Sequence, residues 1–363
     1  MRNSGAIPSQ IIEQFLETGA IEADSPVPEG NVQPSSLDLR LGARGFLVKA
    51  AFLPRQGETI EQALGRYAVE PLDLSHGANL QVDHTYLVEV MERLRLPATV
   101  HAYTNNKSSS GRMNIWVRTL VDCLPRFDRI PDGYHGRLYV MITPRSWPVR
   151  VAAGTTLNQA RFLIGDNRLL DLELDMVHHR VGLVFDHEGN RLPPHFDRGI
   201  LLTADLSQPI VGYRALVSDR LVDFTSEEPH PAEQFFEQLR ADGEEVLLKK
   251  GEFYIMATRE YLRVPPSYAV EMVAYDIHSG EFRSHYAGFF DPGFGFGRRG
   301  EVLGTPAVLE VETHEDVIMR HGQPICKMVY EPLLKDPERI YGVDLPSHYM
   351  HQRGPQLGRH FKS

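Results

Sequence analysis

Apolar and polar residues alternate along Gln33-Pro34-Ser35-Ser36-Leu37-Asp38-Leu39-Arg40-Leu41-Gly42, with Leu37, Leu39 and Leu41 on one side. A period of two closed by glycine predicts a half-buried strand and a turn. Upstream the period is helical. Ile11, Ile12, Phe15 and Leu16 recur within residues 7–18, Pro8 suits a first turn and Gly19 an end, so a short amphipathic helix is expected there. From residue 33 onward strands dominate. Tyr86-Leu87-Val88-Glu89-Val90, Leu138-Tyr139-Val140-Met141-Ile142 and Pro148-Val149-Arg150-Val151 are β-rich runs separated by turn signals such as Pro131-Asp132-Gly133 and Ala153-Gly154. Short strands with this punctuation predict a sandwich, barrel or jelly roll rather than a wound α/β sheet. Residues 163–200, with Asp186-His187-Glu188-Gly189-Asn190 and Pro193-Pro194, read as a hairpin leading into a linker. The expected domain boundary lies near residue 198, giving domains 1–198 and 199–363.

The second half repeats the first. Tyr86–Pro97 lies over Tyr254–Pro265 and Gly154–Phe162 over Gly322–Tyr330, both at an offset of 168 (254 − 86 and 322 − 154). Two separate segments at one spacing predict a tandem duplication of a β-rich unit, and a period this long means two domains rather than a solenoid.

Composition narrows the classes. A chain of 363 residues with 42% hydrophobic positions accommodates two ordinary cores. No run of about 18 apolar residues is present to span a bilayer. Met1–Ala6 lacks the apolar stretch of a secretory signal, and Cys123 and Cys326 cannot make a disulfide framework, so both cysteines are expected to be buried and inert in a reducing cytoplasm. The formal net charge of −10 argues against an extended nucleic-acid surface. A small polyanion remains compatible, because basic residues cluster locally at Lys107 with Arg112, at Arg298-Arg299 and along the tail from His348 to Lys362.

The familiar hydrolytic signatures are missing: no His-Glu-x-x-His, Cys-x-x-Cys, Gly-x-Ser-x-Gly or Gly-Lys-Ser/Thr phosphate loop occurs. Asp175, His178, His179 and His187 suggest a metal site only weakly. Adjacent histidines on a strand point to opposite faces and no third ligand has diagnostic spacing, so a surface hairpin is expected. Lys107-Ser108-Ser109-Ser110-Gly111-Arg112 differs in kind. Three hydroxyls between two cations, with a glycine allowing close backbone approach, can gather a phosphate chain, although the same residues also suit a polar surface turn. Glu310, in Leu309-Glu310-Val311, could carry proton chemistry or face solvent with Glu312. Asp291-Pro292-Gly293 reads as a β-turn.

In order, the Gln33–Gly42 strand, Ser108-x-x-x-Arg112, Phe290-Asp291-Pro292-Gly293-Phe294, Leu309-Glu310-Val311 and the Gly322 turn resemble the dCTP deaminases of the dUTPase-like superfamily. The resemblance covers nearly the whole chain as two units, matching the long, duplicated form. It implies a mainly β fold: two tandem dUTPase-like distorted β-barrel or jelly-roll domains with short helices. It also implies a composite site. The first unit matches at Lys107, Ser108 and Arg112 but has Met141 where the family has its glutamate. The second has Glu310 there, Asp291 as the sugar-reading aspartate and Ala287 in the segment presenting backbone groups to the base. Its tail offers Tyr341, Tyr349 and Gln352, with His348 where the family has lysine. Ser279-x-x-x-Arg283 preserves the spacing of the Ser/Arg motif and is the alternative partner of Glu310; the first-unit motif is preferred.

The resemblance implies hydrolytic deamination of dCTP to dUTP and ammonia, supplying dUTP for thymidylate synthesis. Glu310 would shuttle the proton, Ser108 would hold the water, and Arg112 would stabilise charge or position Glu310. The His-x-Glu and Pro-Cys-x-x-Cys signature of zinc deaminases is absent, so no zinc is expected; magnesium would arrive with the triphosphate. A homo-oligomer is expected, with no nucleic-acid or membrane partner. Two alternatives stay open. One is a bifunctional enzyme giving dUMP, for which Arg353–Gly358 faintly echoes the glycine-rich motif of dUTPases. The other is a non-catalytic nucleotide-binding regulator.

Overall fold

The computed structural model describes residues 3–274, 282–285, 288–345, 347 and 349–362. The strand Leu37–Val48 organises the first unit. Its beginning pairs with Thr156–Ile164 (Leu37 opposite Ala160), and its end pairs with Thr85–Arg95 (Gly45 opposite Val88). His135–Pro144 and then Ile115–Leu120 extend one side of this sheet, and Val100–Asn106 extends the other. The expected mainly β, barrel-like architecture is what forms.

The second unit repeats these pairings. Ile200 opposite Met328 reproduces Leu37 opposite Ala160, Gly212 opposite Met256 reproduces Gly45 opposite Val88, and Leu248 opposite Val317 reproduces Leu80 opposite Val149. In each, one strand partner is displaced by the same 168 positions found in the sequence (328 − 160, 256 − 88 and 317 − 149). One difference is informative. The single strand Leu37–Val48 is broken in the second unit into Ile200–Thr203 and Gly212–Ala215.

Several local expectations are corrected. Leu37 to Gly42 is buried on both faces rather than one, because Arg40 pairs with the buried Glu92 (2.7 Å) and Asp38 with Lys107. The stretch 163–200 is not simply a hairpin: Asp171–Val181 is a helix whose Leu174, Val177 and His178 are buried at i, i+3, i+4 spacing. The histidines therefore sit on a helix, His178 inward and His179 exposed beside Asp175. Val184–Phe185 then pairs with Leu262 and Tyr261, so the second unit's sheet and core recruit residues ahead of position 198. Cys326 is buried as expected, but Cys123 is exposed. Among the described residues no helix is long and apolar enough to cross a membrane.

The helix near the N-terminus runs Ser9–Thr18, with Pro8 one position earlier than expected, as its cap, and Gly19 ending it in the left-handed conformation. The two units share buried material. Phe235, Phe236, Ile255, Val308 and Phe361 of the second unit join the core that contains Leu39, Val88 and Trp147 of the first.

Candidate active site

A cavity of about 310 Å³ opens where the units meet, lined from the first by Asp38, Lys107, Ser108, Ser109 and Arg112, and from the second by Asp291, Tyr341, Tyr349 and Gln352 among others. Residues 108–111 form a single helical turn. Ser110 points away from the cavity and fastens this turn, its hydroxyl donating to the carbonyl of Leu157 at 2.5 Å. Ser108 and Ser109 are left toward the cavity. Lys107 reaches back to the buried Asp38, and its Nζ also lies 3.0 Å from Thr156 Oγ1.

Glu310 lies in the Thr305–Thr313 strand, opposite Ile255 as Met141 lies opposite Leu87. The two positions are therefore structural equivalents. Their surroundings are opposite in character. Met141 packs with Ile60, Leu64, Leu87, Leu120 and Tyr139 in an apolar cluster beneath the helix Ile60–Tyr67. Glu310 is 3% exposed, and its Oε1 lies 3.9 Å from Nε of Arg112. Burial pushes its carboxyl up to about 8, with the Arg112 cation opposing the shift. Glu312 is buried too, so neither strand carboxylate faces solvent.

Arg112 is enclosed by the tail. Its Nη1 donates to the carbonyl of Gln356 (2.7 Å), its Nη2 to Oε1 of Gln352 (3.3 Å), and its guanidinium stands 3.9 Å from the centre of the Tyr349 ring. Gln352 is fixed in turn by donating to the carbonyl of Pro306 at 2.7 Å, on the strand that carries Glu310. The turn at Asp291 is closed by Phe294 N–H donating to the Asp291 carbonyl (3.0 Å), with Gly293 at φ 101°. A Cβ at Gly293 would also stand 2.4 Å from Ile340, so only glycine fits this turn. Asp291 Oδ1 accepts from the hydroxyl of Ser35 at 2.9 Å. Burial raises the Asp291 carboxyl, opposed mainly by Arg161, and it raises that of Asp38, opposed by Lys107.

Seven of the nine site residues expected from the sequence are thus brought together: Lys107, Ser108, Arg112, Asp291, Glu310, Tyr341 and Gln352. Ala287 and His348 lie outside the described residues, as does Ser279. Arg283 falls in the Phe282–His285 strand, its backbone opposite Glu312. Arg298 pairs with Asp344, and neither lines the cavity. Sequence reading gave no site role to Asp38, Gln159, Phe289 and Phe290, and named Arg359 only within the basic tail; all five also line the cavity. Asp38 gave no signal in the sequence, where alternation puts it on a polar face; its role appears only once Lys107, 69 positions away, is seen to pair with it on a strand buried on both faces.

Residues 3–166 match the family described as 2'-deoxycytidine 5'-triphosphate deaminase (DCD) N-terminal domain, and residues 170–361 match its C-terminal domain. The chain belongs to the 2'-deoxycytidine 5'-triphosphate deaminase family. It has the family's long form, with two tandem units. The crystal structure of 2'-deoxycytidine 5'-triphosphate deaminase from Agrobacterium tumefaciens is similar over 95% of this chain and 100% of that one, with a TM-score of 0.88 and 40% identity. Two curated relatives, each named dCTP deaminase, dUMP-forming, match over shorter stretches. That from Methanothermobacter thermautotrophicus is 31% identical over 141 residues, covering 36% of this chain and 64% of the relative. That from Methanoculleus marisnigri is 28% identical over 155 residues, covering 42% and 76%. For the first of these deaminases the chain therefore spans less than two thirds of the relative's length.

Proposed function

We propose that the protein hydrolyses dCTP to dUTP and ammonia at this single composite site. The observation that carries the reading is the meeting of Glu310 from one unit with Arg112 from the other, beside a cavity of nucleotide-binding dimensions. Water adds to ring carbon four of cytosine; one of its protons goes to ring nitrogen three and stays there, the second passes from the new hydroxyl to the exocyclic amine, and the carbon–nitrogen bond breaks to release ammonia. Glu310 takes and returns the proton, and Ser108 holds the water. Arg112 keeps the carboxylate aimed and partly offsets its burial. Asp291 accepts from the deoxyribose, and the Ala287 segment presents backbone groups to the base.

Lys107, His348, Gln352 and Tyr341 serve the phosphates and the sugar, joined by the exposed Arg359 at the rim. Among the described residues the cavity's two carboxylates are each engaged, Asp38 by Lys107 and Asp291 by Ser35, so magnesium enters as part of the nucleotide complex. Proton transfer rests on Glu310 rather than on a zinc-activated water. The zinc deaminases' paired cysteines have no counterpart here, where Cys123 is exposed and Cys326 lies in the second core.

Ammonia release from dCTP tests the reading. A positioned proton shuttle is worth about 10²–10⁴-fold, and Glu310→Gln is expected to lose at least that much; a near wild-type rate in this variant would refute the assignment. A dUMP-forming reaction is the second reading, favoured by the names of the relatives above. Product analysis separates the two: dUTP with ammonia supports the first, dUMP with pyrophosphate and ammonia the second.

A further inference from the structure

The segment Phe289-Phe290-Asp291 belongs to the second unit, yet it is gripped by one side chain of the first. Arg161, on the strand Thr156–Ile164, is fully buried and is not part of the cavity wall. Its guanidinium stands 4.2 Å from the centre of the Phe289 ring, its Nη2 reaches the carbonyl of Phe290 at 3.5 Å, and the same nitrogen lies 3.8 Å from Oδ1 of Asp291. The other side of the guanidinium is anchored. Nη1 donates to the carbonyl of Val270 (3.0 Å) and lies 3.6 Å from Glu331, whose carboxylate accepts from the hydroxyl of Tyr103 at 2.6 Å.

We propose that Arg161 is a positioning residue for sugar recognition: it orients Asp291 and supplies the cation that lets this buried carboxylate accept the 3'-hydroxyl of the nucleotide. A 2'-deoxyribose carrying a 5'-triphosphate has that single free hydroxyl, so a sugar-reading carboxylate has one possible donor. The Ser35 hydroxyl and Arg161 Nη2 both meet Oδ1. Buried carboxylates without a cation become neutral, and a neutral carboxyl is the weaker acceptor. The inference rests on the proposed nucleotide site and on the sugar contact of Asp291 within it.

The readout is the ratio of kcat/KM for dCTP to that for 2',3'-dideoxycytidine triphosphate, which lacks the 3'-hydroxyl. A hydrogen bond to a charged group corresponds to a ratio of about 10–100. Arg161→Lys is expected to bring the ratio down about tenfold, chiefly through KM for dCTP. A general loss of folding or activity would lower both substrates together and leave the ratio unchanged, and that result would overturn the proposal. Asp291→Asn separates the layers. If that variant keeps the wild-type ratio, the sugar contact itself is wrong and the inference falls with it; if it collapses the ratio while Arg161→Lys does not, only the role of Arg161 is wrong.

Discussion

Burial pushes the Glu310 carboxyl up to about 8, so the proposed base is mostly protonated at neutrality, and this sets its expected pH profile. The shift is upward because burial penalises the charged form more than Arg112 restores it. If the carboxylate form accepts the proton from water, kcat/KM falls about tenfold for each pH unit below the folded pKa and levels off above it. Initial rates of ammonia release between pH 5.5 and 9.5 should show this limb bending near 8, in wild-type protein. A profile that instead descends through that range would show that the protonated form does the work, as an acid toward the ring. The contrast with Met141 is also a residue-scale matter: two positions equivalent in register hold a titratable and an inert side chain, so only the second unit offers the proposed proton chemistry a carboxylate at this position.

At the level of elements, what could be read from the sequence followed from periodicity. The alternating Leu37, Leu39 and Leu41 and the Pro8-to-Gly19 helix correspond to elements of the fold because each is a local pattern with a local cause, and the repeat offset reappears in the strand pairings because both units fold alike. The helix Asp171–Val181 was missed because its apolar stripe is only Leu174 and Val177 plus a histidine, and Leu170, Leu172 and Met176 are exposed. Asp38 and Arg161 were missed because their partners stand far away in sequence: no window around position 161 contains Asp291 or Glu331. The helix Ile60–Tyr67 carries a prediction of its own. It lays Ile60 and Leu64 over Met141, and Arg118, opposite Met141 across the strands, is committed to Asp128 at 2.6 Å. Restoring a glutamate there should therefore not restore a site. Met141→Glu in the Glu310→Gln background is expected to release no ammonia and to melt at lower temperature, since an unpaired buried carboxylate typically costs about 3 kcal/mol or more. Recovery of activity in that double variant would mean that the apolar cluster opens readily.

On the scale of the whole molecule, the last residues link the two units around the cavity. After Gln352 and Gln356 have met Arg112, the chain continues through the buried Leu357 to Phe361. Phe361 and Lys362 pair in parallel with His230 and Pro231, and His230 N–H donates to the carbonyl of His360 at 2.7 Å. The Phe361 ring enters an aromatic box, 6.0 Å from Trp147 of the first unit and 5.3 and 5.0 Å from Phe235 and Phe236 of the second, centre to centre. This anchor is distant from Arg112 in chemistry but not in consequence. Removing a buried phenylalanine side chain typically costs about 3–5 kcal/mol, and here much of that loss falls on the hold of the tail, since Phe361 lies at its end. Phe361→Ala should release the strap, uncover Arg112 and raise KM for dCTP about tenfold or more, with faster proteolytic cleavage after residue 345 and slower cleavage when dCTP is added. An unchanged KM together with a freely cleaved tail would show that binding of dCTP does not depend on the tail's hold on Arg112.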